Sequence, residues 1–384
     1  MKSNENLEEM KKIQENIIDF IENEDNVEEK FQNLLNMIKD FKIRDNLYKL
    51  KLLVHLISKI SCDHHRGTNF FSKIEQILCV FKEDLRKYFS SSELFHIFKS
   101  DKRILLFLIT ENLMVINEFI VKKFCKRKYL LAKYPEYFSP ELKPFVNEKL
   151  FSKNFGLIKR ISKDLPDDFY EKRKIGENDT FICKLIQKDL IEEFITYVNR
   201  NMYQLNSIIS TSIYETNAFL LKQYLTYLID YAAFYGSIQI FNYLRLNGVE
   251  LKSSLWMYAV HGQSAEIIHI LEENHVGQPE QLNTFFKINQ FYVKLFNESI
   301  KCHHNDVANY ILRNFLQDNK NDSYDFFPSG LEYYNFAFVP NDFINESLFY
   351  YLCRYDYYLI VCFLLNNANI DINKKTICII IFFI

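Results

Sequence analysis

The chain has 384 residues with 47 Lys and Arg against 49 Asp and Glu, a formal net charge of −2 that lacks the global electrostatic footprint of a dedicated nucleic-acid binder. Apolar residues make up 48% and charged residues 25%, which is too apolar for general disorder and enough for a core, and the length calls for two domains or one elongated array. With only 8 Gly and 7 Pro, β-rich folds with many tight turns are disfavoured and long helices joined by polar turns are expected.

The amino terminus, MKSNENLEEMKK, is polar and has no apolar h-region, so Sec-type export is not expected. Apolar residues then recur at helical spacing: Ile13, Ile17 and Ile21; Val27, Phe31, Leu34, Leu35 and Ile38; Leu50, Leu53, Val54 and Ile57. Asp25 or Asn26, and later Ser91, stand as candidate caps. The most apolar internal run, Ile104 to Ile120, is interrupted by Glu111, Asn112, Asn117 and Glu118, and reads as a buried helix rather than a bilayer span. Four of the seven prolines lie between Pro135 and Pro166. The spacing therefore predicts a helical amino-terminal domain over 1–130, a Pro-containing connector over 131–175 and a second domain over 176–384.

That second region repeats. Counting from starts at 181, 228, 255, 295 and 348, small or apolar pairs recur four and five residues on, as Ala232-Ala233, Ala259-Val260, Ser299-Ile300 and Leu352-Cys353. Second pairs follow at twelve and thirteen, as Ile240-Phe241, Ile267-Ile268, Val307-Ala308 and Ile360-Val361, and a large aliphatic at sixteen: Leu244, Leu271, Ile311 and Leu364. Each copy thus predicts two short antiparallel helices. Small residues on the first let neighbours approach, and one hairpin cannot bury both faces, so copies must stack.

Ala232-Ala233-Phe234-Tyr235-Gly236, with Ile240-Phe241 and Asn247-Gly248, resembles the ankyrin repeat; Asp371-Ile372-Asn373 and His304 occupy further ankyrin-like positions. The T-P-L-H signature does not occur, and the starts are 47, 27, 40 and 53 residues apart against about 33 in regular arrays, so inserts are expected, notably around Asn319 to Phe343. The layout is more closely similar to the large lineage-specific ankyrin families of parasitic protists. The resemblance implies an all-α fold ending in an α-solenoid of degenerate repeats. It implies a non-catalytic scaffold, monomeric, cytoplasmic or nuclear, that binds another protein and takes no cofactor. It also implies a concave partner surface formed by Tyr231, Phe234, Tyr235, Tyr258, His261, Glu298, Lys301, Tyr351, Arg354 and Tyr355. Tyr and Arg suit such a surface because they give large contact area at modest entropic cost. Trp256 falls where the repeat puts a buried aliphatic.

Other chemistry is sparse. No clustered glycines form a phosphate-cradling loop, and G-x-S-x-G and H-E-x-x-H do not occur. Cys62-Asp63-His64-His65 and Cys302-His303-His304 place adjacent ligands about 100° apart on a helix, so neither closes a metal site alone. The eight cysteines contain no C-x-x-C and read as thiols in a reducing compartment. Lys122 to Lys128 is a basic cluster read as a positive helix terminus, with nuclear targeting as the alternative. The tail Thr376 to Ile384 has no polar cap, which suggests a truncated last repeat or a segment buried against it. Two rival readings remain: an enzymatic or membrane-peripheral amino-terminal domain targeted by the repeats, and a truncated, non-functional family member.

Overall fold

Apolar residues three and four apart line one face of a helix, and that spacing sets the secondary structure here. The Val27–Asp40 helix, for instance, buries Phe31, Leu34 and Ile38. In the computed structural model, which describes residues 2–67, 69–125, 129–146, 155–277, 285–316, 327–339, 346–357, 361 and 365, the fold is all-α. Among the described residues there is no β-strand, and one isolated antiparallel bridge joins Ile208 to Tyr227.

Several local expectations are redrawn. Asn26 precedes its helix in the left-handed region and makes no side-chain cap. Ser90 rather than Ser91 caps the Ser91–Phe98 helix, closing a capping box with Glu93. The Ile104 to Ile120 run is two helices, not one. The first ends at Thr110, where Asn112 takes φ 53° and the Leu113 amide donates back to the Leu108 carbonyl, and Asn117 then accepts from the Ile120 amide.

The chain divides into two compact units. One comprises Met1–Ile60, Arg66–Ile77 and Asn289–Ile384; the other comprises Ser61–His65 and Leu78–Ile288. None of these limits coincides with the expected boundaries at 130 and 175. In the first unit, buried Gln14 donates to the Asn335 side chain at 2.8 Å and accepts from the Phe336 amide at 2.7 Å. In the second, described residues of the expected connector bond beyond it: buried Tyr134 donates to the Lys99 carbonyl at 2.9 Å, and Lys133 donates to the Leu221 carbonyl at 2.5 Å.

The repeat register has a structural counterpart in both units. Eight residues after each start stands a residue at positive φ: Asp189, Gly236, Gln263, His303 and Asp356. The next amide, of Leu190, Ser237, Ser264, His304 and Tyr357, donates to the carbonyl of Leu185, Ala232, Ala259, Ser299 and Leu352 respectively. This is one helix-ending turn built five times. In the second unit the Leu228–Tyr235 helix packs against both Phe181–Gln187 and Leu255–His261, and each of the three packs against the helix that follows it.

Candidate binding site

Close approach of first helices depends on small residues. A Cβ at Gly262 would lie 2.3 Å from the Ala233 carbonyl oxygen and 2.9 Å from that of Phe234, so at this point the Leu228–Tyr235 and Leu255–His261 pairs meet backbone to backbone. Between the first and second helix pairs the chain makes an excursion over 201–227. Within it Asn217 caps the short Ala218–Lys222 helix through the Phe219 and Leu220 amides.

That short helix overturns the expectation of an open aromatic face. Phe219 stacks 4.0 Å from the His261 ring, lies parallel to Phe234 at 6.0 Å and meets Tyr258 edge-on at 5.0 Å. Phe234, Tyr258 and His261 are buried in this cluster, at 4%, 3% and 1% exposure, and Tyr231, 2% exposed, is buried beside the cleft described below. Tyr235 is half-buried against Tyr231 and Phe234. Burial holds the Tyr231 and Tyr258 phenols above their ordinary pKa, and Tyr231 accepts from Gln187 Nε2 at 2.9 Å. Phenols so held stay neutral and act as packing and hydrogen-bonding groups.

The other five expected residues lie in the first unit. Glu298 and Lys301 pair with each other at 2.6 Å. Tyr351 stacks on Tyr355, whose hydroxyl donates to Glu332, and Arg354 lies over the Tyr350 and Tyr355 rings. Arg354 is exposed, while Tyr351 and Tyr355 are half-buried.

The remaining motifs are absorbed locally. Cys62 is buried with its thiol 3.7 Å from the Ser100 carbonyl, His304 is buried at the start of the Asn305–Phe315 helix, and Trp256 is buried with its indole donating to the Val276 carbonyl. Lys122 pairs with Glu118 and Lys123 covers Phe119, whereas Lys126 to Lys128 lie outside the described residues, as do Ile360, Leu364, Asp371 to Asn373 and the tail from Thr376. No helix among the described residues is long and apolar enough to cross a membrane.

The same excursion that covers Phe234, Tyr258 and His261 also lines a cleft of about 400 Å³. Its residues include Ile208, Ile213, Tyr224 and Leu225, exposed at 43%, 38%, 94% and 43%. Lys133, Glu136 and Arg160 line it from the earlier part of the unit, with Arg160 bonded to Glu136 and Lys133 to the Leu221 carbonyl. Sequence periodicity missed this cleft because 201–227 has none; the one signal was the 47-residue spacing between the first two repeat starts. A scan against protein-family models matched none, and searches of curated proteins and of solved structures likewise gave no match, so the functional reading rests on this geometry.

Proposed function

We propose that the chain is a non-catalytic protein-binding module built on an ankyrin-type stack of degenerate repeats. Its partner surface is the exposed apolar edge at 208–225, in place of the buried column that a regular array would present. The observation that carries this reading is the cluster Ile208, Ile213, Tyr224 and Leu225, four large apolar side chains held at a cleft and left in water. Such clusters mark interaction sites, and tyrosine is favoured there. The buried thiols Cys62, Cys183 and Cys302 agree with residence in a reducing compartment, the cytoplasm or nucleus.

Crosslinking capture with the wild-type chain and a Tyr224→Ala/Leu225→Ser variant tests the reading. We expect a specific partner whose recovery falls at least about tenfold with the variant while the circular dichroism spectrum is unchanged. Equal recovery by both chains would refute the assignment of this edge.

A further inference from the structure

Two runs of the excursion, 208–213 and 223–226, line the cleft. Ile208 and Tyr227 form one antiparallel bridge, closed by the Ile209 amide on the Thr226 carbonyl at 2.8 Å and the Leu228 amide on the Ser207 carbonyl at 3.1 Å. A ladder continued from there would pair Thr211 with Tyr224 through two further bonds. Neither forms. The Thr211, Tyr224 and Leu225 amides find no acceptor among the described residues, and both runs line the cleft instead. Gln223, at φ −67° and ψ 140°, is extended. The charged residues of the lining balance, Lys133 and Arg160 against Glu136 and Glu215.

The geometry points to a strand-accepting slot, in which an uncharged extended segment of a partner protein lies between the two runs and bonds to their main chain. This rests on the binding-module reading above and specifies its chemistry. Main-chain groups at Thr211 and at Tyr224–Leu225 supply donors and acceptors, and Ile208, Ile213, Tyr224 and Leu225 receive alternate side chains of the incoming strand. A helix would suit the cleft poorly. Its own backbone groups are already bonded, so it would shield the Thr211 and Tyr224 amides from water and give them nothing in return. A charged strand would bring charge into a lining that offers no net countercharge.

The full chain is titrated into a fluorescein-labelled, end-blocked hexapeptide of alternating Thr and Val, and into the same peptide N-methylated at every second residue. Binding is read by anisotropy, and deuterium exchange locates the contact. Saturable binding is expected, weakened about tenfold or more by N-methylation, with slowed exchange at Thr211, Tyr224 and Leu225. The Tyr224→Pro chain should lose affinity to a similar degree, since proline removes one donor and the conformation of Gln223 is one that a following proline accepts. Should that variant not fold, the N-methylated peptide on the wild-type chain still decides. Absence of saturable binding, equal affinity for both peptides, protection elsewhere, or self-association of the chain through these residues would each overturn the slot. Loss of partner capture by the Tyr224→Ala/Leu225→Ser chain, combined with equal affinity for the two peptides, would remove strand pairing and leave the binding module standing.

Discussion

At Met202 the backbone holds φ 48° while the side chain is 92% exposed, so the residue contributes backbone strain and almost no packing. It is one of eleven non-glycine residues at positive φ among the described residues. A left-handed conformation costs an L-residue about 1–2 kcal/mol, part of which a glycine would return as extra disorder in the unfolded chain. Met202→Gly should therefore raise stability by about 0.5–1 kcal/mol, read as an upward shift of the urea midpoint. Gly236, at φ 67°, is the converse case, and Gly236→Ala should lower stability by about 1 kcal/mol. Charge acts at the same scale. Burial pushes the Asp179 carboxyl up, but hydrogen bonds from Lys172 and Ser212 outweigh it and hold the group below its ordinary value. A carboxyl depressed in the folded state stabilises above its unfolded pKa, about 3.9, and loses that contribution as pH falls through the lower folded value. The difference in urea midpoint between wild type and Asp179→Asn should be largest at neutral pH and shrink progressively as pH falls below about 4; a difference that does not shrink on acidification would contradict the ion-pair account.

Between elements, contact without side chains is the sensitive point. Gly262→Ala would drive a methyl into two backbone carbonyls that cannot move independently, and a loss of about 2–3 kcal/mol is expected in urea unfolding. Phe219→Ala should cost about 3–5 kcal/mol and uncover Tyr258 and His261, which diethyl pyrocarbonate labelling of the histidine would report. How much was legible in the sequence follows from these elements. The first helices of the repeats announce themselves because Ala232, Ala259, Ser299 and their partners recur in a fixed register, and each of the five ends in the same turn. Exposure was not legible. The positions of Tyr258 and His261 follow from the repeat, but whether that face is wet depends on Phe219, which reaches it from an excursion of irregular length. Asn217, a cap residue directly before Ala218-Phe219-Leu220-Leu221, was the local clue, since it marks a helix start inside the long gap. Similarly, four prolines suggested a linker, yet Tyr137 and Arg173 fix that stretch by hydrogen bonds that span 36 residues.

The division of the whole molecule makes its unit limits a matter of long-range pairing. A fragment ending at residue 175 keeps Gln14 without Asn335, Lys102 without the Ile213 carbonyl and Lys133 without the Leu221 carbonyl. Such a fragment should bind anilinonaphthalene sulfonate and unfold without a sharp transition, whereas a cooperative transition at native-like stability would show that the amino-terminal part is self-sufficient. In the full chain, Gln14→Ala leaves the Asn335 side chain and the Phe336 amide short of a partner in a buried place and should cost about 2–4 kcal/mol. The same pairing has a consequence for synthesis in the cell. Gln14 and Asn335 are 321 residues apart, so at about 5–20 residues per second the first waits about 16–64 s on the ribosome before the second has been made. During that interval the face of the Lys2–Glu22 helix that will meet Phe336–Phe338 stands uncovered on a nascent chain. Yield of the folded protein should thus depend on elongation rate and on ribosome-associated holdases, in proportion to how long that face stands bare.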